Sequence, residues 1–264
     1  MAGLLVFNKA FFRPEARFFL NLAWLLGPLI GGSLAESFSI NFVLLTSSIF
    51  PILAMYLAIT TIKHDGELDK DRHEIIANVK DYFHDKNRAV LYLISAGLAI
   101  WWTGIYTYLP LYLTELGNGK DIIGYALFLV VIPLILLEIP VGRRGDKHGV
   151  KRFFTAGFLI FTALLLPLAA TTNTALIIAL LVTACIGAAL IEPLREAYLF
   201  KTVTKKDETR FYTVYATAFD TGHIIGPIVL SLVLTATSFK TMYLTLAAIM
   251  LLFALASTRM RDTT

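Results

Sequence analysis

The sequence predicts an all-α membrane protein, a polytopic bundle of about eight transmembrane helices. Of its 264 residues, 57% are hydrophobic and 16% are charged, whereas soluble domains average about 45–50% apolar and about 25% charged residues. Long stretches without charge alternate with short segments rich in Lys and Arg. Because a helix satisfies its own backbone polar groups in lipid, each long stretch is predicted to be a transmembrane helix.

The uncharged stretches are long enough to cross a hydrocarbon core of roughly 30 Å, which takes about 20 residues. The longest, 153–191, has room for two helices, with a turn at Pro167 and residues 171–174. Two of the stretches contain one acid each, Glu138 and Asp220. The predicted spans are residues 18–35, 37–62, 89–114, 122–141, two within 153–191, 211–235 and 241–258.

The basic residues indicate the orientation of these helices. In the connections 115–121 and 236–240, the only basic residues are Lys120 and Lys240. By the positive-inside rule the segments rich in Lys and Arg are cytoplasmic, which places both termini in the cytoplasm of a multi-pass protein of the plasma (inner) membrane. Most of the 23 Lys and Arg residues lie in the segments 1–17, 63–88, 142–152, 201–210 and 259–264.

Several classes of function are not expected from this sequence. Cys185 is the only cysteine, which excludes an internal disulfide and argues against a cysteine-based metal site. The sequence contains no H-E-x-x-H, G-x-S-x-G or G-x-x-x-x-G-K motif. Since the basic residues fall between apolar stretches, nucleic acid is not expected as a partner. We therefore expect a protein of the lipid bilayer that is not an enzyme and holds no metal or cofactor.

Residues 64–88 differ from the other connections because they mix acids and bases. Apolar side chains recur there at helical spacing, among them Ile75, Ile76, Val79, Tyr82 and Phe83. Two interpretations are open: an amphipathic helix on the membrane surface or between two bundles, or a solvated connector with a short helix. The predicted parts of the chain are residues 1–63 with two transmembrane helices, a cytoplasmic linker 64–88, and a six-helix bundle over 89–264.

Small residues recur every four positions in two predicted spans, and each stripe contains a Gly-Pro step. Such stripes let membrane helices pack backbone to backbone. The predicted packing residues are Gly27, Pro28, Gly31, Gly32, Gly222, Gly226 and Pro227.

The short basic segment 142–152 reads G-R-R-G-D-K-H-G-V-K-R and is predicted to be a loop between two spans. Its pattern G-x-x-x-D-[R/K]-x-G-x-[R/K]-[R/K] resembles the signature loop of the major facilitator superfamily of membrane transporters. The G-P-x-x-G-G run that starts at Gly27 is similar to the fifth-helix motif of drug and proton antiporters in that family. This match is partial, because the two upstream glycine positions of the motif hold Ala23 and Pro14.

The resemblance implies a partial major facilitator fold. Members have twelve helices in two six-helix halves, and the eight predicted spans resemble helices five to twelve, so residues 1–63 would be the remnant of an N-terminal half. The implied function is transport of a small solute by alternating access, as proton-coupled efflux or symport, by a fragment of a twelve-helix transporter. Its implied partners are a small-molecule substrate, protons and a missing N-terminal four-helix segment. The alternative is a non-transporting membrane scaffold or partner subunit.

Charged residues at the basic segment are interpreted as a cytoplasmic gate. Three of them, at positions 192, 195 and 196, share one helix face, at the end of the sixth predicted span. In similar transporters the signature loop closes one state through acid–base pairs; the alternative is a permanent network that holds helix ends together. The predicted gate residues are Gly142, Arg143, Arg144, Asp146, Lys147, Gly149, Lys151, Arg152, Glu138, Glu192, Arg195 and Glu196.

Asp220 is predicted to lie about 14 Å along its helix, near the middle of a core of about 30 Å. An acid at that depth faces a cavity by default and functions there, so Asp220 would carry a proton or pair with a cationic substrate. Thr213, Thr217 and Asp220 recur at helical spacing on the face opposite the small-residue stripe, with His223 at its edge. The structural alternative is a permanent Asp220–His223 pair.

Aromatic residues are concentrated in the third predicted span. Trp101, Trp102 and Tyr106 could line a substrate pocket by stacking, with core packing as the alternative. Tyr108 and Tyr112 are expected in an aromatic belt at the outer membrane interface.

Overall fold

The computed structural model describes residues 14–61 and 75–262, apart from the side chains of residues 14–21, Asp146 and His148. Over this part the chain is helical throughout and contains no strand. The helices are α1 (Pro14–Ser37), α2 (Ile40–Ser47), α3 (Ile49–Thr61), α4 (Ile75–His84), α5 (Lys86–Thr103), α6 (Leu109–Glu115), α7 (Lys120–His148), α8 (Lys151–Leu168), α9 (Thr174–Thr202), α10 (Glu208–Ala236) and α11 (Phe239–Ser257).

Seven stretches of the described residues are long and apolar enough to cross a membrane, judged by length and composition. The remaining predicted span, 18–35, lies within α1, a helix of 24 residues whose first side chains fall outside the description. These helices confirm the predicted all-α membrane bundle. The seven stretches are Ile40–Thr61, Lys86–Glu115, Lys120–Gly145, Lys151–Leu168, Thr174–Thr202, Glu208–Ala236 and Phe239–Ser257.

The basic segment 142–152 is mostly helical, so its prediction as a loop was wrong. Helix α7 continues to His148, and α8 begins at Lys151. Lys and Arg favour helix almost as well as alanine does, so the end of the apolar stretch does not end the helix. Gly149 ends it instead, with a φ of 79° that glycine adopts without steric cost.

The described residues divide into two compact units, 14–61 with 117–128, and 75–116 with 129–262. Within the first unit, Gly32 lies against the start of α7. A Cβ atom built on Gly32 would lie 2.7 Å from the carbonyl oxygen of Lys120 and 2.8 Å from the Cα of Gly124. The backbone N–H of Lys120 also donates to Glu36 Oε2 at 3.1 Å. The predicted packing residues Gly27 and Gly31 have no described atom within 4 Å of such a Cβ.

Within the second unit, the predicted stripe on α10 lies against α5. A Cβ on Gly222 would overlap the carbonyl oxygen of Ala96, and one on Gly226 would lie 3.2 Å from Thr103 Oγ1. The next residue along, Pro227, accepts a hydrogen bond from the hydroxyl of Tyr108 at 3.0 Å through its carbonyl oxygen. Because there is no side chain on the two glycines, the α5 and α10 backbones can approach closely.

Helices α8 and α9 cross in the same way. A Cβ on Gly157 would lie 2.7 Å from the carbonyl oxygen of Gly187. Beside this crossing, the rings of Trp101 and Phe161 stack with centroids 4.0 Å apart, and Trp101 is fully buried. Together with buried side chains of α11 such as Leu246 and Met250, these contacts place the core of the second unit between α5, α8, α9 and α11.

Helix α4 is the short amphipathic helix within the segment 64–88, and one of its faces packs against other helices of the second unit. Tyr82 is fully buried, and burial raises the pKa of its phenol above the ordinary value. Arg88 donates to the carbonyl oxygen of Tyr82 at 3.1 Å. Arg210, in the first turn of α10, donates to Asn78 and forms an ion pair with Asp81. Residues 64–74 of the predicted linker lie outside the described residues.

The aromatic belt expected at Tyr108 and Tyr112 was wrong. Both rings are buried in the bundle, 3% and 7% exposed. Tyr112 donates its hydroxyl proton to the carbonyl oxygen of Thr171 at 2.8 Å, and its ring lies against Phe239. Both hydroxyl groups therefore have protein partners.

Candidate functional site

An ion pair inside the second unit is the centre of the candidate site. Arg195 Nη2 donates to Glu192 Oε1 at 2.7 Å, one helical turn earlier in α9. Arg195 Nη1 donates to the hydroxyl oxygen of Tyr215 at 3.0 Å, which ties α9 to α10. The two charged side chains are only 12% (Arg195) and 25% (Glu192) exposed. The pair is therefore mostly withdrawn from solvent, where a charge without a partner is costly.

The sequence placed these two charges at the end of a span, because the uncharged stretch stops at residue 191. Helix α9 in fact continues to Thr202. Pairing with each other and with Tyr215 makes it possible to bury both Glu192 and Arg195 inside the bundle. The apolar stretch therefore ends before the helix does.

Aromatic side chains surround the ion pair. Trp102 Nε1 donates to Glu192 Oε2 in a long hydrogen bond of 3.4 Å, so both carboxylate oxygens have donors. The Trp102 ring stacks on Tyr106, with centroids 5.5 Å apart. On the other side, the Arg195 guanidinium lies over the ring of Phe219 at 4.9 Å. Carboxylate, guanidinium and ring faces together can bind a cationic or aromatic group.

We call this set of residues the ion-pair cluster: Trp102, Tyr106, Glu192, Arg195, Tyr215 and Phe219. It joins two groups that the sequence kept apart, because Glu192 and Arg195 were predicted in the gate and Trp102 and Tyr106 in the substrate pathway. Sequence reasoning missed Tyr215 and Phe219. Their spacing of four residues on α10 was the available signal, since it places both on one helix face.

A local π-helical turn, Gly104–Tyr108, contains Tyr106 of the cluster. It joins α5 to α6 within one candidate span. The extra residue in such a turn changes the direction of the side chains that follow, and π turns are frequent at functional sites. Trp101 lies on another face of α5, stacked on Phe161, and therefore belongs to the core rather than to the cluster.

Asp220 and His223 occupy an exposed face of α10. His223 Nδ1 donates to the carbonyl oxygen of Phe219 at 2.9 Å, and no ion pair joins His223 to Asp220 within the described residues. The pair considered as the structural alternative is therefore absent. Thr217 has its hydroxyl 3.1 Å from the hydroxyl of Tyr92 on α5.

The basic segment approaches α9 through Gly145. A Cβ on Gly145 would overlap the side chain of Leu194, which lies between Glu192 and Arg195 in the sequence. Arg143 and Lys147 are exposed. The side chain of Asp146 is not among those that the structure describes, so its predicted contacts stay a prediction.

Comparison with known proteins decides the family. Residues 16–128 and 113–263 both match the family model described as the Major Facilitator Superfamily. The chain belongs to the major facilitator superfamily. This confirms the family resemblance of the basic segment, and the chain is a multi-pass membrane protein.

The relatives include a protein named for multidrug resistance and several named only as uncharacterized MFS-type transporters. The chain is 27% identical over 239 residues to the multidrug resistance protein MdtG of Rahnella sp. (strain Y9602), covering 86% of this chain and 57% of that protein. It is 23% identical over 217 residues to an uncharacterized MFS-type transporter of Methanocaldococcus jannaschii, covering 79% and 55%. An uncharacterized MFS-type transporter of Yersinia enterocolitica is 25% identical over 158 residues, covering 60% and 41%. The chain thus spans about half the length of these relatives.

Proposed function

We propose that this chain serves in the transport of a small solute across the membrane by alternating access, as the part of a twelve-helix transporter that corresponds to helices five to twelve. Family membership supports this, as does the similarity to a protein named for multidrug resistance, of which the chain covers 57%. The missing partner is a segment of four helices that completes the N-terminal half.

The observation that carries the proposal is the largely buried Glu192–Arg195 pair among aromatic rings. A transporter needs a group whose partner changes between states. The carboxylate of Glu192 can exchange the Arg195 guanidinium for a proton or for a cationic group of the substrate. Since an unpaired buried charge is costly, by about 3–5 kcal/mol when one partner is removed, the paired and exchanged forms are distinct states. Tyr215 and Phe219 hold Arg195 when Glu192 is neutralised.

Asp220 is the proposed entry point for protons. Its side chain is exposed on α10, one residue from Phe219, whose ring contacts the guanidinium of Arg195. No ion pair of Asp220 is found among the described residues, and an intramembrane acid of this kind is suited to bind and release a proton. The proposed coupling is therefore efflux or symport driven by a proton gradient.

The basic segment with its acidic neighbours is the proposed cytoplasmic gate. Gly145 lies against Leu194 on α9, within one helical turn of both Glu192 and Arg195. A change of pairing in the ion-pair cluster would therefore shift the surface against which the basic segment packs.

A proteoliposome assay tests the proposal. The chain is reconstituted with and without the first four helices of a relative, a pH gradient is imposed, and movement of the lipophilic cation ethidium is followed by fluorescence. We expect Asp220→Asn and Glu192→Gln to abolish gradient-driven movement. The matched control is Glu115→Gln, an exposed acid at the end of α6, which should leave transport unchanged.

Unchanged transport in Asp220→Asn would overturn the assignment of proton coupling to that residue. If the chain folds stably but transports nothing, either alone or with the added helices, the alternative function as a non-transporting scaffold or partner subunit is favoured.

A further inference from the structure

The residues that follow α11 contact the ends of three other helices. After α11 ends at Ser257, two turn hydrogen bonds reverse the chain, from Arg259 N–H to Ala256 O and from Met260 N–H to Ser257 O. Met260 is buried, 2% exposed. The following residues are therefore held against the bundle rather than directed away from it.

Three hydrogen bonds fasten this segment. The backbone N–H of Arg261 donates to Asn87 Oδ1 at the start of α5, at 2.9 Å. The hydroxyl of Tyr198, near the end of α9, donates to the carbonyl oxygen of Arg261 at 3.0 Å. The backbone N–H of Lys151, the first residue of α8, donates to Asp262 Oδ1 at 3.2 Å.

The third contact supplies what α8 lacks. Its N-cap residue, Val150, has no side chain that can accept a hydrogen bond from the first turn. The first N–H groups of a helix have no partner within it, and a carboxylate at that end is favourable to the helix dipole. Asp262 therefore caps α8 from a position more than a hundred residues away in the sequence.

The same carboxylate lies so close to Gly149 that no larger residue fits at this position. A Cβ on Gly149 would overlap the carboxyl group of Asp262, and the φ of 79° already disfavours any other residue. The turn between α7 and α8 and the carboxyl group of Asp262 therefore fit together as one arrangement, at the centre of the basic segment.

We propose that Asp262 is a positioning residue for the basic segment 142–152: its carboxylate holds the Gly149 turn and the first turn of α8 in the conformation that the gate needs. The part of this inference that concerns the transport rate rests on the proposed transport function. Its structural part, the hold on the turn, is independent of transport.

The variants Asp262→Ala and Asp262→Asn separate the contributions of the side chain. Alanine removes the acceptor, whereas asparagine keeps an oxygen that can cap the helix as well as aspartate does. The matched control is Asn173→Ala, which removes the side-chain cap of α9 at Leu176 N–H and lies far from the basic segment in sequence. If Asp262→Ala does not fold, Tyr198→Phe loosens the same segment by removing only its hydrogen bond to Arg261.

The first measurement is limited trypsin digestion of the detergent-purified chain, with cleavage between residues 143 and 152 identified by mass spectrometry. We expect cleavage there to be about fivefold faster in Asp262→Ala, the factor that matches a typical lost helix cap. Cleavage in Asp262→Asn and Asn173→Ala should match the wild type.

The second measurement is ethidium transport per folded molecule. We expect the maximal rate to fall about fivefold in Asp262→Ala with an unchanged KM, and to be restored in Asp262→Asn. A merely structural cap would instead lower the yield of folded protein, as in Asn173→Ala, and leave the rate per molecule unchanged.

Equal cleavage in Asp262→Ala and the wild type would overturn the inference, as would a normal maximal rate beside faster cleavage. If the wild-type chain transports nothing even together with the missing four-helix segment, while Asp262→Ala is cleaved faster, the proposed function fails and the hold of Asp262 on the turn stands.

Discussion

Replacing Gly222 with alanine tests the backbone contact between α5 and α10, on which the ion-pair cluster depends. The added methyl group would overlap the carbonyl oxygen of Ala96 and lie 2.6 Å from the Cβ of Ala99. A backbone carbonyl cannot rotate away as a side chain can, so the helices must separate. Gly226→Ala is the matched control, because its methyl group would meet only the side chain of Thr103, at 3.2 Å.

The magnitude follows from the difference between the two variants. Both gain the same helix propensity, about 1 kcal/mol for alanine over glycine, so this gain cancels. Overpacking typically costs about 1–3 kcal/mol, and contact with backbone places Gly222→Ala at the upper end. At about 2–4 °C per kcal/mol for a domain of 150–250 residues, Gly222→Ala should melt about 4–12 °C below Gly226→Ala.

The assay is thermal unfolding in detergent, in which size-exclusion chromatography of heated samples measures the fraction that remains folded. Aromatic fluorescence in the same samples reports on the ion-pair cluster, which contains Trp102 from α5. Melting temperatures of the two variants within about 2 °C of each other would refute the backbone contact between α5 and α10, and with it the geometry that brings Tyr215 to Arg195.

Two further predictions concern stability. Arg210→Ala removes the contacts of α10 with Asn78 and Asp81. Because these side chains are partly exposed, we expect the free energy of unfolding to fall by at most about 1 kcal/mol, but hydrogen exchange over α4 to become clearly faster. Unchanged exchange in α4 would contradict its packing against α10. Tyr112→Phe removes the 2.8 Å hydrogen bond to the carbonyl oxygen of Thr171 and should lower the free energy of unfolding by about 0.5–1.5 kcal/mol, measured by thermal unfolding; an unchanged midpoint would place that hydroxyl in solvent or lipid.

Much of the architecture was predictable because hydropathy alone carries it. A charge inside a span is costly and a stretch of about 20 apolar residues is enough to cross the bilayer, so the helices could be read from the spacing of charges. Their ends could not. Glu192 and Arg195 ended the apolar stretch but not α9, because their mutual hydrogen bonds make burial possible, and the basic residues after Gly142 continued α7 as far as His148.

The candidate site was predicted in pieces. The sequence singled out Glu192, Arg195, Trp102 and Tyr106, because charged and aromatic residues in apolar stretches are conspicuous. It assigned them to two separate places. Trp101 and Trp102 are adjacent and look equivalent, yet one stacks on Phe161 in the core and the other donates to Glu192.

What the sequence determined by itself is the class of the protein, its helices and its family, since these depend on hydropathy, charge placement and one local motif. What only the tertiary structure decided is which side chains meet. Partners such as Trp102 and Glu192, or Lys151 and Asp262, are about a hundred residues apart in the chain. Their contact depends on how each helix is rotated about its axis. That rotation is set where glycines such as Gly157 and Gly222 let two backbones touch, because close packing there permits a single arrangement.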